Sequence, residues 1–384
     1  MTNAPLTQRI AAIDVLRGFA LGGILLVNIL DFGSSAFRAG TLGIRGSTFD
    51  QLIDQMIVVF AVTKFYLLFS FLFGVGFAVQ MCRMEATGRP FVSFYLRRLS
   101  GLFIIGLAHA VLLWDGDILR LYAIVGGLLL VVRKLPLRVL LGLALSITLG
   151  ALIFFATQMD ISRFGDPATD HLIPLLVGKN YAALVSYRLS AQLQLGSQFP
   201  IFQIPMVAVM FLLGLAVGRN GLLDQPERYQ PFLRRWWGWA LVVGLLGNFL
   251  LAGGYAVHNT VLVSIGIYVG APVLSFAYAS LVLLNVERLR ALAPVGQMAL
   301  TNYLIHSLVF TTVFYGYGLR RYDQLLVWAL PVLVALIYGV QVWFSGWWLR
   351  RFRFGPVEWL WRSLTYGAVQ PMARLNDPIR NLSA

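Results

Sequence analysis

The sequence predicts an all-α, polytopic membrane protein of about ten transmembrane helices with both termini in the cytoplasm. Three observations carry this reading: hydrophobic residues make up 59% of the chain against 12% charged, apolar stretches of spanning length recur, and Lys and Arg gather on alternate sides of those stretches. An ordinary soluble domain carries roughly 25% charged residues. A mean hydropathy of +0.77 also excludes disorder, which needs a chain poor in aliphatic and aromatic residues.

A spanning helix needs about 20 mostly apolar residues, because about 30 Å of hydrocarbon is crossed at 1.5 Å per residue. Stretches that meet this description run over 11–32, 64–82, 97–114, 117–132, 138–157, 200–218, 235–254, 260–284, 295–316 and 325–348. The fourth is the shortest. The 30 Lys and Arg exceed the 16 Asp and Glu for a net charge of +14. Alternating the loops places 21 of the 30 on one side, in groups such as Arg9 with Arg17, Arg83 to Arg98, Arg133 to Arg138, and Arg350 to Arg353. Cytoplasmic loops hold such an excess, so the charge needs no nucleic-acid partner, and the lipid bilayer is the partner the composition demands. A homo-oligomer is compatible with this pattern. Trp236, Trp237 and Trp239 beside Arg234 and Arg235, and Trp343, Trp347 and Trp348 beside Arg350 and Arg351, read as aromatic belts at that interface.

No repeat or linker divides the chain, so residues 1–384 read as one transmembrane domain. An outer loop over about 158–199 and the segment 49–63, with Asp50, Asp54 and Gln55 on one face, are expected to lie partly as interfacial helices roofing the outer side. Gly214 with Gly218 and Gly266 with Gly270 have the small-xxx-small spacing of closely packed membrane helices. At the end, about 349–384 reads as an amphipathic cytoplasmic tail in which Glu358 and Arg362 are four apart between tryptophans.

Polar side chains inside hydrocarbon cost roughly 2.5–3.5 kcal/mol on insertion scales, so each is a functional candidate. Asp14 and Arg17 share a face at the inner end of the first span, and Arg17 and Asn28, eleven apart, share one at about 16 Å. Helix packing by an ion pair and an interhelical amide is the alternative role. His109 stands near the outer end of the third span, before Asp115 and Asp117. On a straight helix Asp115 would lie about 9 Å away, whereas a tight turn after Trp114 would fold Asp117 back to the ring. A histidine oriented by a carboxylate is a general base; a structural histidine bonded to a carbonyl is the alternative. Asn302 and His306, four apart, would line one cavity as substrate ligands. His171 and His258 fall in outer loops without a role. The single cysteine, Cys82, excludes an internal disulfide. No ligand spacing calls for a metal, and no Ser-His-Asp pattern or phosphate-binding glycine loop stands out. Pro205, Pro272 and Pro331 within spans would suit the broken helices of a small-metabolite transporter, and a non-catalytic scaffold is the other alternative.

Five blocks carry a resemblance. RIAAIDVLRGFALGGILLVNI (Arg9 to Ile29), KFYLLFSFLFGVGF (Lys64 to Phe77), GLAHAVLLWDGDILRLYAIVG (Gly106 to Gly126), GQMALTNYLIHS (Gly296 to Ser307) and FGPVEWLWRSLTYG (Phe354 to Gly367) resemble the YeiB-like bacterial inner-membrane proteins, a domain-of-unknown-function family. The resemblance implies a multi-pass protein of the bacterial cytoplasmic membrane. The Arg, Asp, Arg-Gly and Val-Asn pattern of the first helix is more distantly similar to transmembrane acyltransferases of the heparan-α-glucosaminide N-acetyltransferase type. That likeness implies an active-site asparagine at Asn28 and acetyl-CoA as cytosolic acyl donor; the first histidine after Asn28 here is His109. The expected function is therefore transfer of an acyl group from acyl-CoA to an extracytoplasmic hydroxyl or amine. Arg17, Arg97 and Arg98 would hold the CoA phosphates. His109 would act as base, oriented by Asp115 or Asp117, with the Asn28 amide on the thioester carbonyl.

Overall fold

The computed structural model describes residues 6–38, 47–158, 169–193, 202–221, 223 and 226–374. Helices dominate: α1 (Leu6–Gly33), α2 (Ser35–Arg38), α3 (Thr48–Phe60), α4 (Lys64–Ala86), α5 (Phe91–Leu112), α6 (Leu119–Val132), α7 (Leu137–Gln158), α8 (Thr169–Val177), α9 (Tyr181–Leu193), α10 (Gln203–Arg219), α11 (Pro226–Ala256), α12 (Thr260–Ile265), α13 (Ala271–Leu284), α14 (Ala293–Gln297), α15 (Ala299–Phe314), α16 (Ala329–Arg351) and α17 (Pro356–Tyr366). Among the described residues the only β pairing is an isolated bridge between Phe352 and Ala373.

Each of the ten predicted stretches coincides with an apolar helix. Seven are long and apolar enough to cross a bilayer: Ala11–Gly33, Thr48–Ala86, where α3 runs into α4, Phe91–Leu112, Leu137–Gln158, Arg228–Ala256, Thr260–Leu284 and Ala329–Arg351. The other three, α6, α10 and α15, have 14, 17 and 16 residues. They extend only about 21–26 Å at 1.5 Å per residue, so the sequence reading overstated their reach.

The outside of the bundle is apolar. Leu141, Leu145, Leu149 and Ile153 on α7, and Val332, Leu336, Val340 and Trp343 on α16, are exposed. Contiguous faces of this kind mark contact with lipid or another protein, and on helices of spanning length they make the chain a membrane protein. α3 turns its aspartates into the bundle. Phe49, Leu52, Met56 and Phe60 point outward while Asp50 and Asp54 are buried. Asp50 completes a capping box with Ser47, which satisfies backbone donors that an apolar surrounding would leave costly. Within the outer loop, α8 and α9 are helical, and residues 159–168 and 194–199 lie outside the described residues.

α1 is the central post, packed against α4, α13, α14, α15 and α16, with Leu21, Leu25 and Ile29 wholly buried. α10 lies along α4 at a distance only glycine allows: a Cβ on Gly214 would stand 2.1 Å from the Phe71 carbonyl oxygen. Of the three prolines expected to break spans, Pro205 and Pro331 occupy first turns, where a missing N–H costs nothing. Only Pro272 sits within a span, just after a π turn over Gly266–Gly270.

Candidate active site

Between α1, α4, α5, α15 and α17 lies a cavity of about 450 Å³. Its mouth carries Arg17, Arg83, Arg98, Arg353 and Arg362, all from the majority-charge side of the bundle, with Asp14 and Glu358. The rest of the wall is mainly apolar, with Leu21, Ile24, Phe69, Phe73, Phe77 and Leu102, and it also includes Tyr122, Ile118, Leu119 and Tyr303. On α1 the lining residues Asp14, Arg17, Leu21 and Ile24 form one helical stripe about 15 Å long.

The tail helix builds this mouth, a role beyond the surface anchor its amphipathic pattern suggested. Trp361 donates its indole N–H to the Arg98 carbonyl at 2.8 Å, and the Arg98 guanidinium lies 3.8 Å over the Trp361 ring. The Glu358 carboxylate accepts from the Leu300 N–H (2.6 Å), the Thr301 N–H (3.0 Å) and the Thr301 hydroxyl (2.5 Å). These are the orphan donors of the α15 N-terminus, so α17 and α15 are locked together. Burial raises the Glu358 carboxyl above its ordinary value, against the Thr301 bonds that lower it.

Tyr303 joins the cavity to a buried polar cluster. Its ring stands 5.1 Å from that of His109. His109 Nδ1 is 2.9 Å from Asp117 Oδ1, and Nε2 is 2.8 Å from Ser307 Oγ. All three residues are buried. The second carboxylate oxygen of Asp117 accepts the Arg120 backbone N–H at 2.9 Å, with Arg120 Nε at 3.4 Å, and Arg120 continues to Gln192. A carboxylate only accepts. Opposite an ionised Asp117, Nδ1 of the neutral imidazole carries the proton, which leaves the Nε2 lone pair for the Ser307 hydroxyl. Gly106, one turn before His109, makes room for this turn, since a Cβ there would meet Asp117 Oδ2, the Arg120 nitrogen and Leu119 at 2.9 Å.

The structure separates the two acids that sequence grouped with His109. Asp117 reaches the ring, whereas Asp115 points to the outer side, 3.0 Å from Arg38 and 3.8 Å from Arg188. Arg38 also bonds Asp31 at 3.1 Å, and the Trp114 indole donates to Asp31 at 2.7 Å. Burial would raise the Asp115 carboxyl, but Arg38 and Arg188 hold it down at about 2. The same pairing outweighs burial to raise the Arg38 guanidinium well above its usual value. Asp115 is thus committed to an outer ionic network and does not orient His109.

The other candidates divide similarly. Arg17 and Arg98 line the cavity, and Arg17 pairs with Asp14 at 3.3 Å. Arg97 is exposed and is not among the lining residues. Asn28 is half-buried, one turn beyond Ile24 on α1, and is likewise not among the lining residues. Asn302 and His306 turn instead to α16: Asn302 donates to Ser345 Oγ at 3.0 Å, and His306 Nε2 lies 2.5 Å from Gln341 Oε1. Sequence reasoning missed Ser307 and Tyr303 and expected no Ser-His-Asp pattern. Their signal was present: they are also four apart on α15, rotated by one residue from the Asn302–His306 face, which points them at α5.

Comparisons with known proteins place this geometry in a context. A family model described as protein of unknown function (DUF418) matches residues 217–368, which include Tyr303, Ser307 and the tail helix but not His109 or Asp117. The chain is 35% identical to the uncharacterized protein YxaH of Bacillus subtilis over 96% of each chain. It is 32% identical to the uncharacterized protein YeiB of Escherichia coli, covering 95% of this chain and 98% of that one. An uncharacterized 39.9 kDa protein in the amylase 3' region of Bacillus acidopullulyticus is 33% identical over 97% and 98%. No solved structure matches.

Proposed function

Starting from the chain's membership of the DUF418, or YeiB-like, family, which carries no assigned activity, we propose that it is a membrane acyltransferase. Acyl-CoA supplied at the cytoplasmic face of the bacterial inner membrane is the donor, and an extracytoplasmic hydroxyl or amine is the acceptor. One observation carries the reading: a single cavity is lined by five arginines and by a mainly apolar wall that includes Tyr303, the residue packed against His109. A ligand suited to it is polyanionic at one end and slender and weakly polar at the other. CoA thioesters have that form. Arg17, Arg98 and their neighbours would hold phosphates by charge-assisted hydrogen bonds, and the thioester would lie at the Tyr303 end. There His109, held in one tautomer by Asp117, accepts a proton from the attacking group. The outer side is closed by Phe32, Trp114 and Tyr315, packed ring to ring, which favours chemistry at the end of the cavity over passage through it.

Equilibrium binding of labelled acetyl-CoA to detergent-purified protein tests the proposal. A hydrogen bond to a charged group contributes about 1.5–3 kcal/mol, so Arg98→Ala should raise Kd roughly tenfold to a hundredfold. Absence of saturable binding by the wild type at millimolar acetyl-CoA refutes the donor assignment.

A further inference from the structure

We infer that Ser307 is a covalent nucleophile and that acyl transfer passes through an acyl-serine ester; the inference rests on the acyltransferase reading. The hydrogen-bond bookkeeping at His109 leads to it. Asp117 consumes Nδ1, and the single basic position left, Nε2, faces Ser307 Oγ at 2.8 Å. An acceptor molecule could be deprotonated directly by His109 only after displacing that serine. The hydroxyl is placed by a rigid element, since α15 is anchored at its N-terminus by Glu358, and the carboxylate is held by Arg120 as well as by the imidazole. This is the arrangement that activates a serine: nucleophile, base and orienting acid in sequence. Its connection to the donor cavity is Tyr303, one turn from Ser307 on the same face of α15. The Tyr303 hydroxyl is buried, with the Ile118 backbone beside its oxygen, and its own O–H, which has no acceptor among the described residues, is left as a donor for a developing carbonyl oxyanion.

In the first step Ser307 Oγ attacks the thioester carbonyl carbon while His109 Nε2 takes the hydroxyl proton. The C–S bond breaks, and the CoA thiolate leaves with that proton from the imidazolium. In the second step the acceptor hydroxyl or amine attacks the Ser307 ester and gives its proton to Nε2. The ester C–O bond breaks, and Oγ recovers the proton. No oxidant or further reactant is required. Because donor and acceptor react in separate steps, the donor departs before the acceptor is used, as suits substrates that arrive from opposite faces.

Two probes of the purified full chain test this. A fluorophosphonate, which reacts with activated serines irrespective of the acyl donor, should modify the peptide containing Ser307. The modification should vanish in Ser307→Ala and slow by roughly 10²–10⁴-fold in His109→Gln. Incubation with acetyl-CoA should add one acetyl group to the same peptide, and Ser307→Cys should accumulate it as a thioester. Fluorophosphonate labelling without acetyl-CoA binding would support the nucleophile and refute the CoA assignment. Arg98-dependent acetyl-CoA binding with no adduct from either probe would overturn the serine inference and leave the donor assignment standing. Failure of both probes on a monodisperse protein overturns the inference in any case.

Discussion

Asp115→Asn tests the division of labour within the turn between α5 and α6. The Arg188 side chain is fully buried and that of Arg38 is 3% exposed. Removing the carboxylate leaves Arg38 still paired with Asp31, whereas Arg188 retains no carboxylate within 4 Å among the described residues. At 3.8 Å and an effective dielectric of about 20, the lost attraction is about 4 kcal/mol. That agrees with the roughly 3–5 kcal/mol cost of stripping one partner from a buried pair. Spread over a chain of 384 residues, a loss of that size lowers Tm by about 5 °C. The assay is thermal unfolding in detergent followed by size-exclusion fluorescence. The double variant Asp115→Asn/Arg188→Met replaces the stranded cation with an apolar side chain and should recover most of the loss. A single-variant shift below about 1 °C, or a double variant no better than the single, would show that Asp115 does not neutralise Arg188. The Asp115 carboxyl sits at about 2 in the fold, below its ordinary value, so its stabilisation is complete above roughly pH 4. It is lost as pH falls through about 2, and this network should leave wild-type stability flat between pH 4 and 7.

Two further outcomes concern the two buried histidines and the cavity mouth. His109→Gln should reduce acyl transfer by roughly 10²–10⁴-fold at unchanged folded yield, whereas His306→Gln, which can still meet Gln341 on α16, should keep transfer within about threefold; equal losses would move the reactive centre to the α15–α16 interface. At the cavity mouth, the Glu358 carboxyl is raised by burial, so the stability it contributes is complete below its ordinary value and declines as pH rises through its folded value. Glu358→Gln should flatten that decline in melts taken from pH 4.5 upward, while Glu358→Ala, which orphans the Leu300 and Thr301 donors, should cost about 1–3 kcal/mol; an unchanged pH slope in Glu358→Gln would refute the assignment.

The fold class and the positions of the apolar helices were legible because spanning length and low charge are properties of single segments. The reach of α6, α10 and α15 was not, since an apolar run does not say where its helix stops: α6 starts only after the Asp117 turn, and α15 starts on Glu358, some 57 residues further along the chain. The candidate site was half legible. Asp117 lies eight residues from His109, so the hairpin alone brings them together. Ser307 lies 198 residues away, and only the packing of α15 beside α5 selects its face over the adjacent face of Asn302 and His306. The direction in which α3 turns its aspartates has the same origin, because its amphipathic pattern does not say which side packs into the bundle.

Charge balance distinguishes the two ends of the molecule. On the outer side, Arg38 and Arg188 face Asp31 and Asp115, two cations against two carboxylates, so burial there is compensated within the chain. At the inner mouth, five arginines face Asp14 and Glu358, and Glu358 is already committed to the backbone of α15. Like charges held this close repel, and the chain could have relieved the repulsion with carboxylates, as it does on the outer side. A surplus of fixed positive charge around an open cavity instead attracts and orients an anionic ligand. The same residues packed as an internal ion-pair network would have filled the site. The five-arginine cluster is therefore the place among the described residues best charged to hold an anionic ligand.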